Sequence, residues 1–325
     1  MGVFDFLRSN HITLNEAEAE WLQNSPKPWH SVEVLPPRNQ DTPSTLPYFV
    51  SGILEIQNKW LGLKNTSPTV SYEIRRARND QLRFQYSVPT KRLERKVRTQ
   101  LADEIPGVKF RDGVNGLPVY QDETLGGGLL HLGDDDWYTL NTEHDSPPIN
   151  AVTALLHRHS MQDTKFVIQV LFQPIAAKNA RNWWWRKKAV QQRNYLKKEK
   201  QGIWGSTRPT RREKQQAHSI NQKIGNARYW TSIRFLIINA GEYTPSRIKE
   251  LAGGFNRFEN PETNQYFNTV TFQPFLESRL RSYAETVRDR RFGGWSRKFR
   301  TTQKELSSLV SLPDRNQSNI SYSTP

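Results

Sequence analysis

Two alternating stretches organise the first half of the chain. Val70, Tyr72 and Ile74 alternate with polar residues, and after Asn79-Asp80 the alternation resumes at Leu82, Phe84, Tyr86 and Val88. Period two on both sides of a turn signal predicts a β-hairpin with one apolar face. The period then changes: Leu93, Val97 and Leu101 fall at helical spacing, which predicts a helix over Lys91–Ile105, with a short strand at Val108–Phe110 after it. This β-β-α-β order is the core of a split βαβ, ferredoxin-like unit. Upstream, residues 48–63 place Phe49, Ile53, Ile56 and Trp60 near one helical face, and Ser31–Leu35 reads as a short strand. The rest of 1–47, with Pro26, Pro28, Pro36, Pro37 and Pro43, reads as irregular.

A second series follows. Residues 115–145 are rich in Gly and Asp, with strands predicted near Leu129–Leu132 and Trp137–Leu140. Ser146 and Pro147 supply an N-cap and a first-turn proline. Ile149, Val152, Leu155 and Leu156 then give a helix its apolar face. Phe166–Phe172 and Ser232–Ile238 have the length and composition of buried strands. Thr244-Pro245 opens a helix carrying Ile248, Leu251, Ala252, Phe255 and Phe258, and a strand at Phe267–Phe272 closes the series. The predicted fold class is α+β: two ferredoxin-like (split βαβ) units over 48–145 and 146–275. Residues 276–325 would add a basic helix and loop over Arg279–Lys304. A capping box of Thr302 and Glu305 precedes Leu306, Leu309 and Val310, and a polar tail or linker runs from 313.

Charge changes this picture at one place. The chain has 325 residues and a net charge of +15. Residues 1–176 carry a net −3, residues 177–228 a net +13 from 15 Lys/Arg against two Asp/Glu, and residues 229–325 a net +5. The excess therefore sits between two predicted strands of the second unit. Residues 177–200 lack Pro and Gly and read as helix; Gly202, Gly205 and Pro209 break the chain; Arg211 to about Lys223 reads as helix again. A basic helical hairpin inserted at 177–228 is the expectation.

Charge this dense repels itself unless an anion neutralises it, and nucleic acid is the commonest such partner. Aromatics interleave with the basic residues: Trp183, Trp184, Trp185, Tyr195, Trp204 and Trp230. Rings that stack on bases beside cations that hold phosphates are the pattern of single-strand binders. A solvated helix face, an acidic protein or an anionic membrane are the competing readings. Trp185, Ala189 and Leu196 share one helical face, so Trp183 and Trp184 must point elsewhere. The candidate nucleic-acid-binding residues are Trp183, Trp184, Arg186, Lys187, Lys188, Arg193, Lys197, Lys198, Lys200, Arg208, Arg211, Arg212 and Lys214. Arg288, Arg290, Arg291, Arg297, Lys298 and Arg300 form a secondary basic patch.

Motifs for chemistry are missing. Cysteine is absent, which excludes disulfides, thiolate metal sites and a Cys nucleophile. Gly202-Ile203-Trp204-Gly205-Ser206-Thr207 lacks the lysine of a P-loop, and Gly126-Gly127-Gly128 leads into Leu129-Leu130-His131 rather than a phosphate cradle. His157-Arg158-His159 ends a predicted helix, where residues i and i+2 diverge, so no metal site is assigned. Asp134-Asp135-Asp136 reads as a polar turn. No G-x-S-x-G pattern frames a serine. No apolar run approaches the roughly 18 residues of a membrane span. A non-enzymatic, cytoplasmic protein without cofactors is the expectation.

Several segments, taken in order, resemble a known family. They are Tyr72-Glu73-Ile74 with Leu82–Val88, Leu93–Ile105 running into Pro106-Gly107-Val108, the helix start Pro147-Pro148-Ile149-Asn150-Ala151-Val152, and Phe166–Pro174. A Trp- and Arg-rich helix, the strand Ile233-Arg234-Phe235-Leu236, and Glu305-Leu306-Ser307-Ser308-Leu309-Val310-Ser311-Leu312-Pro313 follow. This order is similar to the N-terminal region of TraG-type conjugative coupling proteins and HerA/FtsK-like translocases of type IV secretion systems. The resemblance implies DNA handling and attachment to a P-loop motor ATPase, peripheral to a membrane-bound transfer complex. The motor itself has no counterpart in this sequence, so ATPase activity is not carried over. Two functions from different classes follow: a non-catalytic DNA-binding or coupling module, or an interaction subunit that buries the Trp cluster in a partner or a homo-oligomer. A nuclease or replication initiator would require a metal or nucleophile set that the sequence does not display.

Overall fold

The elements follow local chemistry. A computed structural model describes residues 9–38, 42–59, 64–77, 81–155, 164–175, 180–202, 205–293, 296–314 and 317–323. Strand β1 (Ile12–Thr13) leads into helix α1 (Glu16–Gln23), which Asn15 and Glu18 start with a capping box. Next come β2 (His30–Leu35), α2 (Pro47–Ile53), and a small ribbon of β3 (Asn58–Lys59) and β4 (Lys64–Asn65). The alternating hairpin forms β5 (Val70–Arg76) and β6 (Arg83–Val88). Helix α3 (Lys91–Glu104) is capped by Thr90 and buries Leu93, Val97 and Leu101, and β7 (Lys109–Asp112) follows.

The second half runs β8 (Thr124–Leu132), α4 (Ile149–Leu155), β9 (Lys165–Pro174), then the insert, then β12 (Arg228–Ile238), α7 (Thr244–Gly253) and β13 (Phe267–Thr271). The insert comprises α5 (Ala180–Lys197), a two-strand ribbon of β10 (Lys200–Gly202) and β11 (Gly205–Thr207), and α6 (Arg211–Gly225). The chain continues through α8 (Glu277–Arg288), β14 (Phe299–Thr302) and α9 (Gln303–Leu309).

The described residues build a mixed α+β fold on one ten-stranded antiparallel sheet, in the order β1-β8-β12-β9-β5-β6-β2-β7, with β13 beside β8 and β14 beside β12. The two halves predicted as separate units share this sheet. They are joined through β5 and β9, from Val70 opposite Phe172 to Arg76 opposite Phe166. Helices α2, α3, α4, α7 and α9 bury one face around Val32, Tyr72, Phe84, Tyr86, Ile168 and Phe235. On the other face, α1 and α8 cover Leu125, Val167, Leu236 and Ile238. Both helix layers press on β8 at its glycines. A Cβ at Gly127 would lie 2.3 Å from the Tyr283 ring, and one at Gly128 would lie 2.8 Å from Ile248 Cγ2. The glycine run is a packing device rather than a loop.

Several expectations are corrected. Among residues 1–47, the described stretch 9–38 is not irregular: α1 docks on α8, and Arg288 donates from Nη1 to the Trp21 carbonyl at 2.6 Å. The helix predicted over 48–63 ends at Ile53, and Asn58–Lys59 turn back as a ribbon. Trp137–Leu140 is not a strand: Tyr138 packs into the insert, and Leu140 N donates to Glu305 at 2.8 Å. Within Arg279–Lys304 the expected helix forms as part of α8 and described loop residues follow it, but Phe299–Thr302 is a sheet strand, β14, rather than loop. The C-terminal residues predicted as a polar tail dock instead on the first half: Ile320 is buried, Leu82 N donates to the Asn319 carbonyl at 2.6 Å, and Ser323 N donates to the Pro36 carbonyl at 2.9 Å.

Candidate nucleic-acid interface

The insert is a helical hairpin with a core of its own. Trp185, Ala189 and Leu196 of α5 meet Ala217 and Ile220 of α6 and Tyr138 from the body, with Trp137 and Ile224 at the margin. Helix α6 starts at a capping box of Thr210 and Glu213.

Three polar anchors fix this hairpin at its base. Trp185 Nε1 donates to Asp136 Oδ1 at 2.5 Å, and Arg300 Nη1 donates to Asp136 Oδ2 at 3.0 Å. Lys223 Nζ pairs with Glu305 Oε1 at 2.9 Å and donates to the Tyr138 carbonyl at 3.1 Å. Arg228 closes the end of α6, donating from Nη1 to the carbonyls of Lys223 and Ile224 at 3.1 and 2.9 Å. Asp136, read from sequence as part of a polar turn, is thus an anchor. Burial first, then Asp134 and Asp136, raises the carboxyl pKa of its neighbour Asp135.

Anchoring turns the remaining side chains outward. With Trp185 inward, 100° per residue sends Trp184, Lys188, Gln191 and Tyr195 along one outer strip of α5, and Trp183, Lys187, Asn194 and Lys198 along the next. All eight are exposed. Trp183 and Trp184 are each 56% exposed, with ring centroids 5.0 Å apart at 80°. Lys187 Nζ lies 5.4 Å from both rings. Arg186, Lys197, Arg208, Arg211, Arg212 and Lys214 turn away from the hairpin core, and all six are exposed to solvent. Arg193 bridges the two helices, donating to Asn221 Oδ1 at 2.9 Å. Lys200 lies in β10, and its side chain is outside the described residues, as are Trp204, His157 and His159.

The secondary basic patch does not form as expected. Arg290 is 2% exposed and binds Glu73 with both arms, Nε to Oε1 at 2.7 Å and Nη2 to Oε2 at 3.2 Å. Arg288 is buried against Asp289 at 2.8 Å, and Arg300 is buried on Asp136. In each of these three a carboxylate offsets the cost of taking the guanidinium out of water. Arg291, Arg297 and Lys298 remain exposed. Lys298 comes close to the insert through Trp230, 4.7 Å from its ring.

Tyr195 is a further candidate, beyond the residues that charge and the Trp run single out, because it shares the outer strip with Trp184. The spacing of eleven between the two carries that signal. Among the described residues, no group of three or more His, Asp or Glu side chains is placed to hold a metal ion, and no helix is long and apolar enough to cross a membrane.

No curated protein matches the chain. The family described as a domain of unknown function, DUF8128, matches residues 4–325, and the chain belongs to that family.

Proposed function

We propose that this protein is a non-catalytic DNA-binding and coupling module of a DNA-transfer machine, with the outer face of the α5–α6 hairpin as its nucleic-acid surface. One observation carries the reading: two tryptophans stand exposed on an anchored helix with a lysine against both rings. Exposed indoles lose free energy in water unless a partner covers them, and bases are flat partners that cations flank naturally. The cations around them supply the phosphate contacts. The scaffold in this reading is a pair of ferredoxin-like (split βαβ) units, the second carrying the hairpin. The strand orders β7-β2-β6-β5 and β13-β8-β12-β9 support it, since each places its fourth, first, third and second strands side by side. A cytoplasmic site of action and a P-loop motor as partner rest on the family resemblance.

The test is titration of a labelled mixed-sequence oligonucleotide at several salt concentrations. Replacing Lys187, Lys188 and Lys198 by Gln is expected to weaken binding and to lower the log K against log salt slope by about 0.7–0.9 for each phosphate no longer neutralised. Unchanged affinity and slope in the triple variant would overturn the proposal.

The same exposed Trp pair supports a second reading, an assembly subunit that buries the indoles in a protein partner or a second copy. A stable oligomer in light scattering, dissociated by Trp183→Ala and Trp184→Ala and indifferent to DNA, would establish it instead.

A further inference from the structure

The seam between the hairpin and the sheet gathers cations that lie far apart in sequence. The pairing of β14 with β12 sets Arg300 directly opposite Trp230 and Phe299 opposite Thr231. Arg300 Cζ then lies 4.3 Å from the Trp230 ring and 4.9 Å from the Trp185 ring. Arg228 Cζ lies 4.7 Å from the same Trp185 ring. Lys298 Nζ lies 4.7 Å from Trp230 and 5.3 Å from Phe292. From α5, exposed Arg181 is within electrostatic reach of Lys298 and Arg300, and exposed Arg186 is within reach of Arg228. Asp136 pairs with Arg300 at the base of the seam. The Nε atoms of Arg228 and Arg300 are buried and lack a hydrogen-bond partner.

We propose that this seam is a phosphate-binding site in which Arg181 and Lys298 hold the phosphate group and Arg228 and Arg300, fixed on Trp185 and Trp230, hold the positive field behind it, with Arg186 adding to that field. The ligand chemistry is a phosphoryl oxyanion, supplied either by the backbone of a nucleic acid or by a small phosphorylated molecule. Guanidinium groups suit this task because their planar fork of donors matches phosphate oxygens. The two tryptophan rings keep the cations in place without adding negative charge, since an indole face attracts a cation and carries no net charge, and Asp136 offsets Arg300 alone. The electrostatics agree. Burial first, then Arg300 and Arg186, brings Arg228 down to about 10. Desolvation first, then Arg181 and Arg300, lowers Lys298. The cluster repels itself, and an anion arriving there relieves that repulsion.

For the nucleic-acid source, this inference rests on the proposed function, because the seam would take one phosphate of a strand lying on the hairpin. The seam also joins basic residues that the sequence separates: α5 supplies Arg181 and Arg186, the start of β12 supplies Arg228, and β14 with the residue before it supplies Arg300 and Lys298.

The full chain is titrated with inorganic phosphate by calorimetry and with a labelled oligonucleotide by anisotropy, for the wild type and the Arg181→Gln/Lys298→Gln variant. Both substituted side chains are exposed, and Lys298→Arg, which keeps the charge, serves as the conservative control. Retained binding in that control, and loss of phosphate binding in the double variant with an unchanged thermal midpoint, are expected. The double variant should also bind the oligonucleotide roughly tenfold more weakly, with a salt slope lower by about 1.4–1.8, the effect of two cations at 0.7–0.9 each. Wild-type affinity and slope in the double variant would overturn the seam site, while weakened binding in the Lys187, Lys188 and Lys198 variant would still uphold DNA binding by the hairpin. Phosphate binding that depends on Arg181 and Lys298, in a protein without oligonucleotide affinity, would uphold the site with a small phosphorylated ligand and overturn the DNA reading. Binding of neither probe to the wild type would overturn both.

Discussion

Lys223 of α6 and Glu305 of α9 form an ion pair in which neither side chain is exposed, with Nζ 2.9 Å from Oε1. The carboxylate does more than pair. Its Oε1 accepts from Leu140 N at 2.8 Å, and its Oε2 accepts from Thr302 N at 2.7 Å, the reciprocal half of the cap on α9. One buried group thus ties the basic insert, the 138–140 segment and the C-terminal helix together. The polar partners matter because two ions withdrawn from water are tolerable only when their remaining hydrogen-bonding capacity is met.

Removing one partner should therefore be costly. Lys223→Met leaves Glu305 charged and enclosed, and a destabilisation of about 3–5 kcal/mol is expected in urea unfolding. Lys223→Met with Glu305→Gln should recover part of that stability, because the uncompensated charge is gone while the amide still caps α9. A single-variant effect under about 1 kcal/mol, the range of exposed pairs, would refute the structural role.

The three consecutive tryptophans should separate cleanly. Trp185 is enclosed between Arg228 and Arg300, so Trp185→Ala is expected to cost about 3–5 kcal/mol. Trp183→Ala and Trp184→Ala remove exposed rings and should leave stability within about 0.5 kcal/mol. On the proposed function, the same two changes should weaken oligonucleotide binding by about 1–3 kcal/mol for each base stacked. Equal stability losses at all three positions would contradict the hairpin geometry.

Glu73 sets an acid limit on the fold. Burial pushes its carboxyl up, but Arg290 and Arg75 outweigh burial and hold it at about 2. The folded value lies below the unfolded value of about 4.3. The stability this carboxylate contributes is therefore present above about pH 4.3 and is lost as pH falls through that value towards 2. Urea midpoints measured from pH 7 to pH 2 should fall steeply in that window. Glu55, held near 2 chiefly by hydrogen bonds from Arg92 and Lys96, titrates there too, so each pH is compared against wild type. Glu73→Gln should be much less stable at pH 7, with Arg290 left unpaired, and less sensitive to pH between 5 and 2. A slope equal to wild type would refute the assignment.

Local pattern was legible where neighbours in sequence decide the outcome. The alternation from Val70 to Val88 makes a hairpin because a strand's side chains point to opposite faces. Thr302 and Glu305 make a cap because they lie three apart at a helix start. The same rule at Asn15 and Glu18 carried a helix that the proline-rich stretch after it obscured. Distant partners were not legible. Alternation alone puts Glu73 on the solvent side of its strand, yet its partner Arg290 lies 217 residues away and buries it.

The sequence by itself determined the β5–β6 hairpin, α3, the buried strands β9 and β12 and the helices of the insert, the position of the charge excess, and the fact that Trp183, Trp184 and Trp185 cannot share one helix face. Each follows from a period or a count along the chain. Only the tertiary structure decided that the two halves form one sheet through β5 and β9, since strand edges carry no sequence address for their partners. It alone decided which arginines are structural. Arg288, Arg290 and Arg300 carry the same charge as Arg291 and Arg297, and they differ in being buried on Asp289, Glu73 and Asp136 when the chain closes. It alone brought Lys298 and Arg300 against the insert, because pairing between β12 and β14 joins segments that the chain keeps some seventy residues apart.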